Sequence, residues 1–296
     1  MFILNQINID GVAYVDVYNY DKSSKLRLCP SEGGRIVHFV YNGLDVFPKT
    51  SFTVYKNRYT AAILFPFTNR IRDGKYTFKE KDYQLNCNEL DKNNALHGLV
   101  YDKSFKLIDV RVTSEFASVR LKYKNDKQDK AFPFFYDIEL VYTLNHTGLT
   151  LKMNVINLGD FSFPFTIGWH PYFSSSNLNK STIRFDSSIK YLTDDRNIII
   201  GKLPLNKEKH IELENLEIDD GFMLKTNVVE FTTPDYKAKI ISSVEKNFLQ
   251  IYIPPCREVI AIEPMTGACN SFNNDIGLQT LLPNKNYSIE WSVIIT

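Results

Sequence analysis

Apolar and polar residues alternate with a period of two along most of the chain. The clearest case spans residues 138–155. Ile138, Leu140, Tyr142 and Leu144 fall on one face, with Glu139, Val141 and Thr143 on the other. Asn145-His146-Thr147-Gly148 has turn composition, and beyond it Leu149, Leu151, Met153 and Val155 alternate with Thr150, Lys152 and Asn154. Two such runs about a glycine-containing turn predict a β-hairpin. A C-terminal run sets Tyr287, Ile289, Trp291, Val293 and Ile295 on one face, and residues 118–123, 248–253 and 259–262 are further strand candidates. No segment holds a 3.6-residue apolar period beyond about three turns, so helices are expected to be short and few. Strands recurring at intervals of roughly ten residues predict an all-β fold of stacked antiparallel sheets.

Proline and glycine are scattered as turn punctuation, and no Ser/Gly-rich linker, low-complexity run or short repeat divides the chain. One domain over residues 1–296 is the expectation. The charged run Lys122 to Lys130 predicts an exposed hairpin tip. The early part of 206–220, rich in Lys, Glu and Asp, predicts a solvated loop.

Composition narrows the function classes. Of 296 residues, 44% are hydrophobic, which is ample for a large core. The 35 basic and 34 acidic residues leave a net charge of +1, which gives no reason to expect a nucleic-acid or anionic-membrane partner. An aromatic content of 14% suits strands, and equally a cleft that stacks on flat apolar faces. Cys29, Cys87, Cys256 and Cys269 show no CxxC spacing, and read as reduced thiols of a cytoplasmic protein with no zinc site. Met1 to Gln6 lacks the basic region and long apolar run of a signal peptide, and no stretch approaches the ~20 apolar residues of a membrane helix.

Five stretches depart from the strand background. In Phe165 to Phe173, His170 follows Gly168-Trp169 and precedes Pro171, so its backbone is driven towards an extended form. It reads either as a core histidine or as a proton carrier near neutral pH. Asn69 to Gly74 holds Arg70 and Arg72 beside a glycine turn; these are surface charges or, if buried, planar donors for hydroxyl or carboxylate oxygens. Asn93 to Gly98 places His97 in a turn, and Asp219-Asp220-Gly221 reads as an acidic turn entering an apolar strand. In Val259 to Gly267, Glu263 ends an apolar run and Pro264 is expected to stop the ladder. An unpaired buried carboxylate there is costly, so a core role explains Glu263 poorly. There is no recognisable nucleophile, GxGxxG, P-loop or metal spacing. This inventory fits either proton transfer on a polyhydroxylated substrate or plain sugar binding.

Asn69-Arg70-Ile71, Asn94-Ala95-Leu96-His97-Gly98, Gly168-Trp169-His170-Pro171-Tyr172-Phe173, Asp219-Asp220-Gly221-Phe222 and Ile262-Glu263-Pro264, in this order, resemble the aldose 1-epimerase (galactose mutarotase-like) family. The resemblance spans nearly the whole chain. It implies a large β-supersandwich and an isomerase that interconverts the α and β anomers of a glucose- or galactose-like hexose without a cofactor. It implies His170 as general acid, Glu263 as general base, and Arg70, His97 and Asp219 as holders of sugar hydroxyls, with Asp220 the alternative to Asp219. Trp169, Tyr172 or a nearby Phe would stack on the sugar ring. Pro171 and Pro264 depart from the best-studied members, which bears on substrate preference. The pair is expected several Å apart with a pyranose between, Glu263 keeping His170 charged. A monomer or homodimer is expected. Alternatives are a hexose-6-phosphate mutarotase, using Arg72, Lys75 or Arg257 for the phosphate, and a non-catalytic carbohydrate-binding protein on the same scaffold.

Overall fold

The hairpin predicted from alternation lies inside the main sheet of the computed structural model, which describes residues 1–127, 129–205, 209–245 and 247–296. Strands Tyr136–Asn145 and Gly148–Asn157 pair antiparallel from Asn145 opposite Gly148, which leaves His146-Thr147 as the two-residue loop. Their alternating faces behave as the period-two rule requires: Ile138, Leu140, Tyr142, Leu144, Leu151, Met153 and Val155 are fully buried. The C-terminal strand Asn286–Ile295 pairs with Gly148–Asn157 on one side and Lys237–Ser242 on the other. It is therefore interior, buried through Ile289, Trp291, Val293 and Ile295.

From Lys237–Ser242 the sheet passes to the long strand Asp219–Thr232, then to Phe248–Tyr252, Val259–Met265, Gly168–Trp169 and Ile63–Leu64. Asp219–Thr232 is the branch point. Its C-terminal half pairs with Lys237–Ser242, its N-terminal half with Phe248–Tyr252, and its other edge with Thr182–Thr193. A second antiparallel sheet carries the first five strands in chain order, from Phe2–Ile9 to Leu44–Phe47. One apolar cluster runs from Phe2 and Val17 of this sheet to Trp291 and Ile295 of the main one. Helices among the described residues are short: Phe52–Arg58, capped by Ser51, Ser271–Asn274, and a 3-10 turn at Leu178–Lys180. The fold is the all-β antiparallel supersandwich expected. No helix among the described residues is long and apolar enough to cross a membrane.

Local expectations needed correction. Lys122 to Asn125 of the charged run continue the strand Phe116–Asn125, beyond which Asp126, Lys127, Asp129 and Lys130 are exposed and Gln128 lies outside the described residues. In the stretch expected as a solvated loop, Asn206, Lys207 and Glu208 lie outside the described residues, while Lys209–Glu212 is a strand on the edge of Thr182–Thr193. Asp219-Asp220 is not a turn but the start of a strand. Pro264 does not stop its ladder either, since Val259–Met265 runs through it. The N–H groups of Ile262 and Thr266 donate to Pro171 and Ile167, and alternate residues point the same way. The donor that proline lacks would face the short break between strands Gly168–Trp169 and Tyr172–Ser174, so its absence costs little.

Candidate active site

The register of three strands assembles the site. Gly168 pairs with Met265 and Tyr172 with Ala261, so the register continued across the break sets His170 opposite Glu263. Glu263 in turn pairs with Gln250, and Gln250 with Gly221. Asp219, two residues from Gly221, shares the face of that row. The backbone of His170 is fixed from the far side by its N–H to Ala62 O and by Ala61 N–H to its own carbonyl. Gly168 is required by close approach: a Cβ there would lie 2.8 Å from Thr68 Cγ2 and 3.0 Å from Met265 Cγ.

Arg70 and His97 arrive on a separate two-stranded ribbon, Arg70–Arg72 against Asn94–Leu96. Asn69 and His97 end the ribbon in the left-handed region, at φ 55° and 63°, joined by a bond from His97 N–H to Asn69 O. Two non-glycine residues in this conformation are strain held by the surroundings. Tyr59, at the left-handed C-cap of helix Phe52–Arg58, sets its ring edge-on to His97 at 4.7 Å.

His170 Nε2 lies 3.2 Å from Glu263 Oε1, and both side chains are buried. The His97 ring stands perpendicular to that of His170 at 4.8 Å, and the Tyr172 ring lies 5.2 Å from His170. Glu263 Oε2, His170 Nδ1 and His97 Nδ1 are buried without a hydrogen-bond partner. Three orphaned polar atoms in one place mark a site rather than a packed core. One nitrogen from each histidine and one Glu263 oxygen lie within 4.8 Å of each other, a donor set that suits a divalent transition ion by type.

The expected gap between His170 and Glu263 is absent; they touch. A buried carboxyl and imidazole held apart would each bear an unrelieved desolvation cost, and contact relieves both. The expected charge state is also reversed. Burial lowers His170 to about 4, with Arg70 acting the same way. Burial pushes Glu263 well above the carboxylate range, Asp219 adds to the push, and Arg70 opposes it. Desolvation thus favours the neutral form of each group, imidazole on one side and carboxylic acid on the other. Burial likewise keeps His97 neutral, reinforced by His170 and Arg70.

The polar wall continues from Arg70. Its Nε and Nη2 form a two-pronged ion pair with Glu89, and Nη1 donates to Asn69 Oδ1 at 3.2 Å. Asn69 Nδ2 donates to Gln250 Oε1, and Gln250 Nε2 to Asp219 Oδ1 at 2.6 Å. Asn197 Nδ2 donates to Asp219 Oδ2. Asp220 points to the opposite face and pairs with Lys190 at 2.6 Å. Strand alternation therefore decides between the two aspartates by placement: Asp219 stands with Arg70, Gln250 and Glu263. Arg70, Asp219 and Gln250 line a small recess with Tyr191, Phe248 and Cys269.

A match to the aldose 1-epimerase family covers residues 27–293. The chain belongs to that family. Its relatives include the uncharacterized protein YihR of Escherichia coli K12, 25% identical over 243 residues, which cover 78% of this chain and 77% of YihR. A galactose mutarotase-like protein from Clostridium acetobutylicum superposes with a TM-score of 0.89 at 22% identity, covering 100% of this chain and 98% of that one. Galactose 1-epimerase from Lactobacillus acidophilus gives 0.78 at 15% identity, covering 99% and 98%. At those identities the two structures share the epimerase fold.

Within this epimerase scaffold the five sequence-predicted residues converge, while other candidates do not. Trp169 points to the opposite face, fully buried against Trp291, and offers no surface for stacking. Arg72 is committed to Asp194. Arg257 donates to the carbonyls of Leu213 and Leu216, and Lys75 is exposed on a hairpin strand. Sequence reasoning missed Gln250 and Glu89. Gln250 carried a usable signal, an amide inside the apolar run Phe248-Leu249-Gln250-Ile251. Glu89 carried none, being one acidic residue in a polar stretch.

Proposed function

We propose that this protein is an aldose 1-epimerase that interconverts the anomers of a neutral hexose, with His170 and Glu263 as its proton-carrying pair. The observation that carries this reading is their buried contact, with His170 Nδ1, Glu263 Oε2 and the nearby His97 Nδ1 left unpartnered. Mutarotation needs one proton delivered to the ring oxygen O5 and one removed from the anomeric hydroxyl O1. Both oxygens are bonded to C1, so a donor and acceptor in direct contact serve both from one side of the sugar. A sugar hydroxyl donating to Glu263 Oε2 favours the carboxylate and moves the shared proton onto His170. His170 then protonates O5 as Glu263 takes the proton from O1, and the ring opens. Rotation about C1–C2 and the reverse transfers close it on the other face. No net proton is consumed, and each positioned group contributes ~10²–10⁴-fold.

In this reading Arg70, neutral His97 and Asp219 hold the remaining hydroxyls and keep the open aldehyde from drifting. Tyr172 packs beside His170, its ring 5.2 Å away and buried. The commitments of Arg72 and Arg257 weigh against a phosphate-bearing substrate. The test is polarimetry on freshly dissolved α-glucose and α-galactose, read against the spontaneous rate. Catalysed decay is expected to be lost in Glu263→Gln. A Glu263→Gln protein that keeps the wild-type rate would sink the assignment, and wild-type binding without any catalysis would favour the carbohydrate-binding alternative.

A further inference from the structure

Arg70 offers five N–H donors. The three in use are Nε–H and one Nη2–H to Glu89, and one Nη1–H to Asn69. One N–H remains on each terminal nitrogen. Glu89 does not reach Arg70 by chance of rotamer. Its other neighbour is Asn94, whose Nδ2 donates to Glu89 Oε2 at 2.8 Å, and the two residues exchange backbone hydrogen bonds. Asn94 in turn pairs with Arg72 in the Arg70–Arg72 ribbon. The preceding residue, Asn88, clamps the same ribbon: it accepts from Leu96 N–H at 2.7 Å and donates to Leu96 O at 3.0 Å, one residue before His97. Burial works against the Glu89 charge, but hydrogen bonds from Arg70 and Asn94 outweigh it and hold the carboxyl below its usual range.

We propose that Glu89 is the positioning residue of the sugar site, fixing the Arg70 guanidinium so that its two free N–H groups grip neighbouring hydroxyls and its charge is neutralised against anionic sugars. The proposal rests on Arg70 being a sugar ligand, as in the preceding section. A planar fork held along one edge presents its remaining donors at a fixed spacing, which a freely rotating arginine does not. Such a contact acts on the bound sugar throughout the reaction, so its loss falls on KM rather than kcat.

Glu89→Gln and Glu89→Asp, confirmed folded by circular dichroism, are compared with wild type by polarimetry on galactose and glucuronate. Glu89→Gln is expected to raise the galactose KM about tenfold, the order expected when charge-assisted hydrogen bonds loosen, with kcat little changed. It is also expected to raise glucuronate kcat/KM relative to galactose. Glu89→Asp, which keeps the charge, should recover part of the KM. A wild-type KM in folded Glu89→Gln, or a fall in kcat alone, overturns the proposal. If Glu89→Gln does not fold, an unchanged KM in Glu89→Asp overturns it. A wild type with no rate above the spontaneous one sinks the enzymatic reading by itself. Calorimetric titration with galactose then decides on Glu89: weaker binding by the variant supports it, and equal or absent binding overturns it.

Discussion

His170 and Glu263 are two ionisable side chains held where burial opposes the charge of each. Each is almost wholly buried, and burial inverts the usual order of their pKa values. His170→Asn and Glu263→Gln should each slow anomer interconversion by ~10²–10⁴-fold with sugar binding retained, measured by polarimetry and calorimetry. The pH dependence of kcat/KM should be bell-shaped. Its acid limb lies near pH 4, where His170 gains a second proton for the pair, and its alkaline limb lies above the carboxylate range, where Glu263 loses the only one. These limbs belong to the pair, and removal of either partner should abolish the bell. Of the residues in the row, the sequence made His170 and Glu263 legible because their types clash with apolar neighbours. It could not reveal their contact, which depends on strand register. Nor could it show that burial favours the neutral form of both.

At the scale of elements, the site is built where a rigid sheet meets a strained ribbon. The sheet supplies His170, Glu263, Gln250 and Asp219 in register, and the ribbon delivers Arg70 and His97. Gly98 follows His97 at φ +78°, and a Cβ there would lie 2.3 Å from Phe65 O. Gly98→Ala therefore meets both left-handed strain and a backbone clash. It should lower stability by at least about 2 kcal/mol in denaturant unfolding, and disturb sugar binding through His97. Alternation read from sequence located the hairpin at 138–155 and the C-terminal strand, because buried strands with one core face keep a strict period. It misread Asp219-Asp220 and Pro264, since turn-forming residues also occur at strand starts and beside sheet breaks. The first five strands were not read individually. Several carry polar residues on half-buried faces, as in Lys25–Cys29, where Arg27 pairs with Asp16 of the neighbouring strand.

For the molecule as a whole, the buried pair ties stability to pH in opposite senses. His170 titrates at about 4 when folded against an ordinary 6.5. Its contribution to stability is thus present above pH 6.5 and lost as pH falls towards 4. Glu263 is raised, so its contribution is present below its ordinary 4.5 and lost as pH rises through its folded value. Thermal melting across this range should show His170→Asn with a flatter acid side than wild type. Glu263→Gln should equal or exceed wild-type stability at neutral pH, an expected trade between fold and function. The same backbone alternation that aims His170 outwards turns Trp169 inwards onto Trp291, at 6.3 Å and 26° between rings. These are the chain's two tryptophans, one on the strand entering the site and one on the last strand. Their indoles form a native chromophore pair, expected to give blue-shifted emission and coupled near-ultraviolet dichroism that report that strand's seating without any label. A sugar docking on the other face should leave both signals in place, while any event that lifts the strand extinguishes the coupling first.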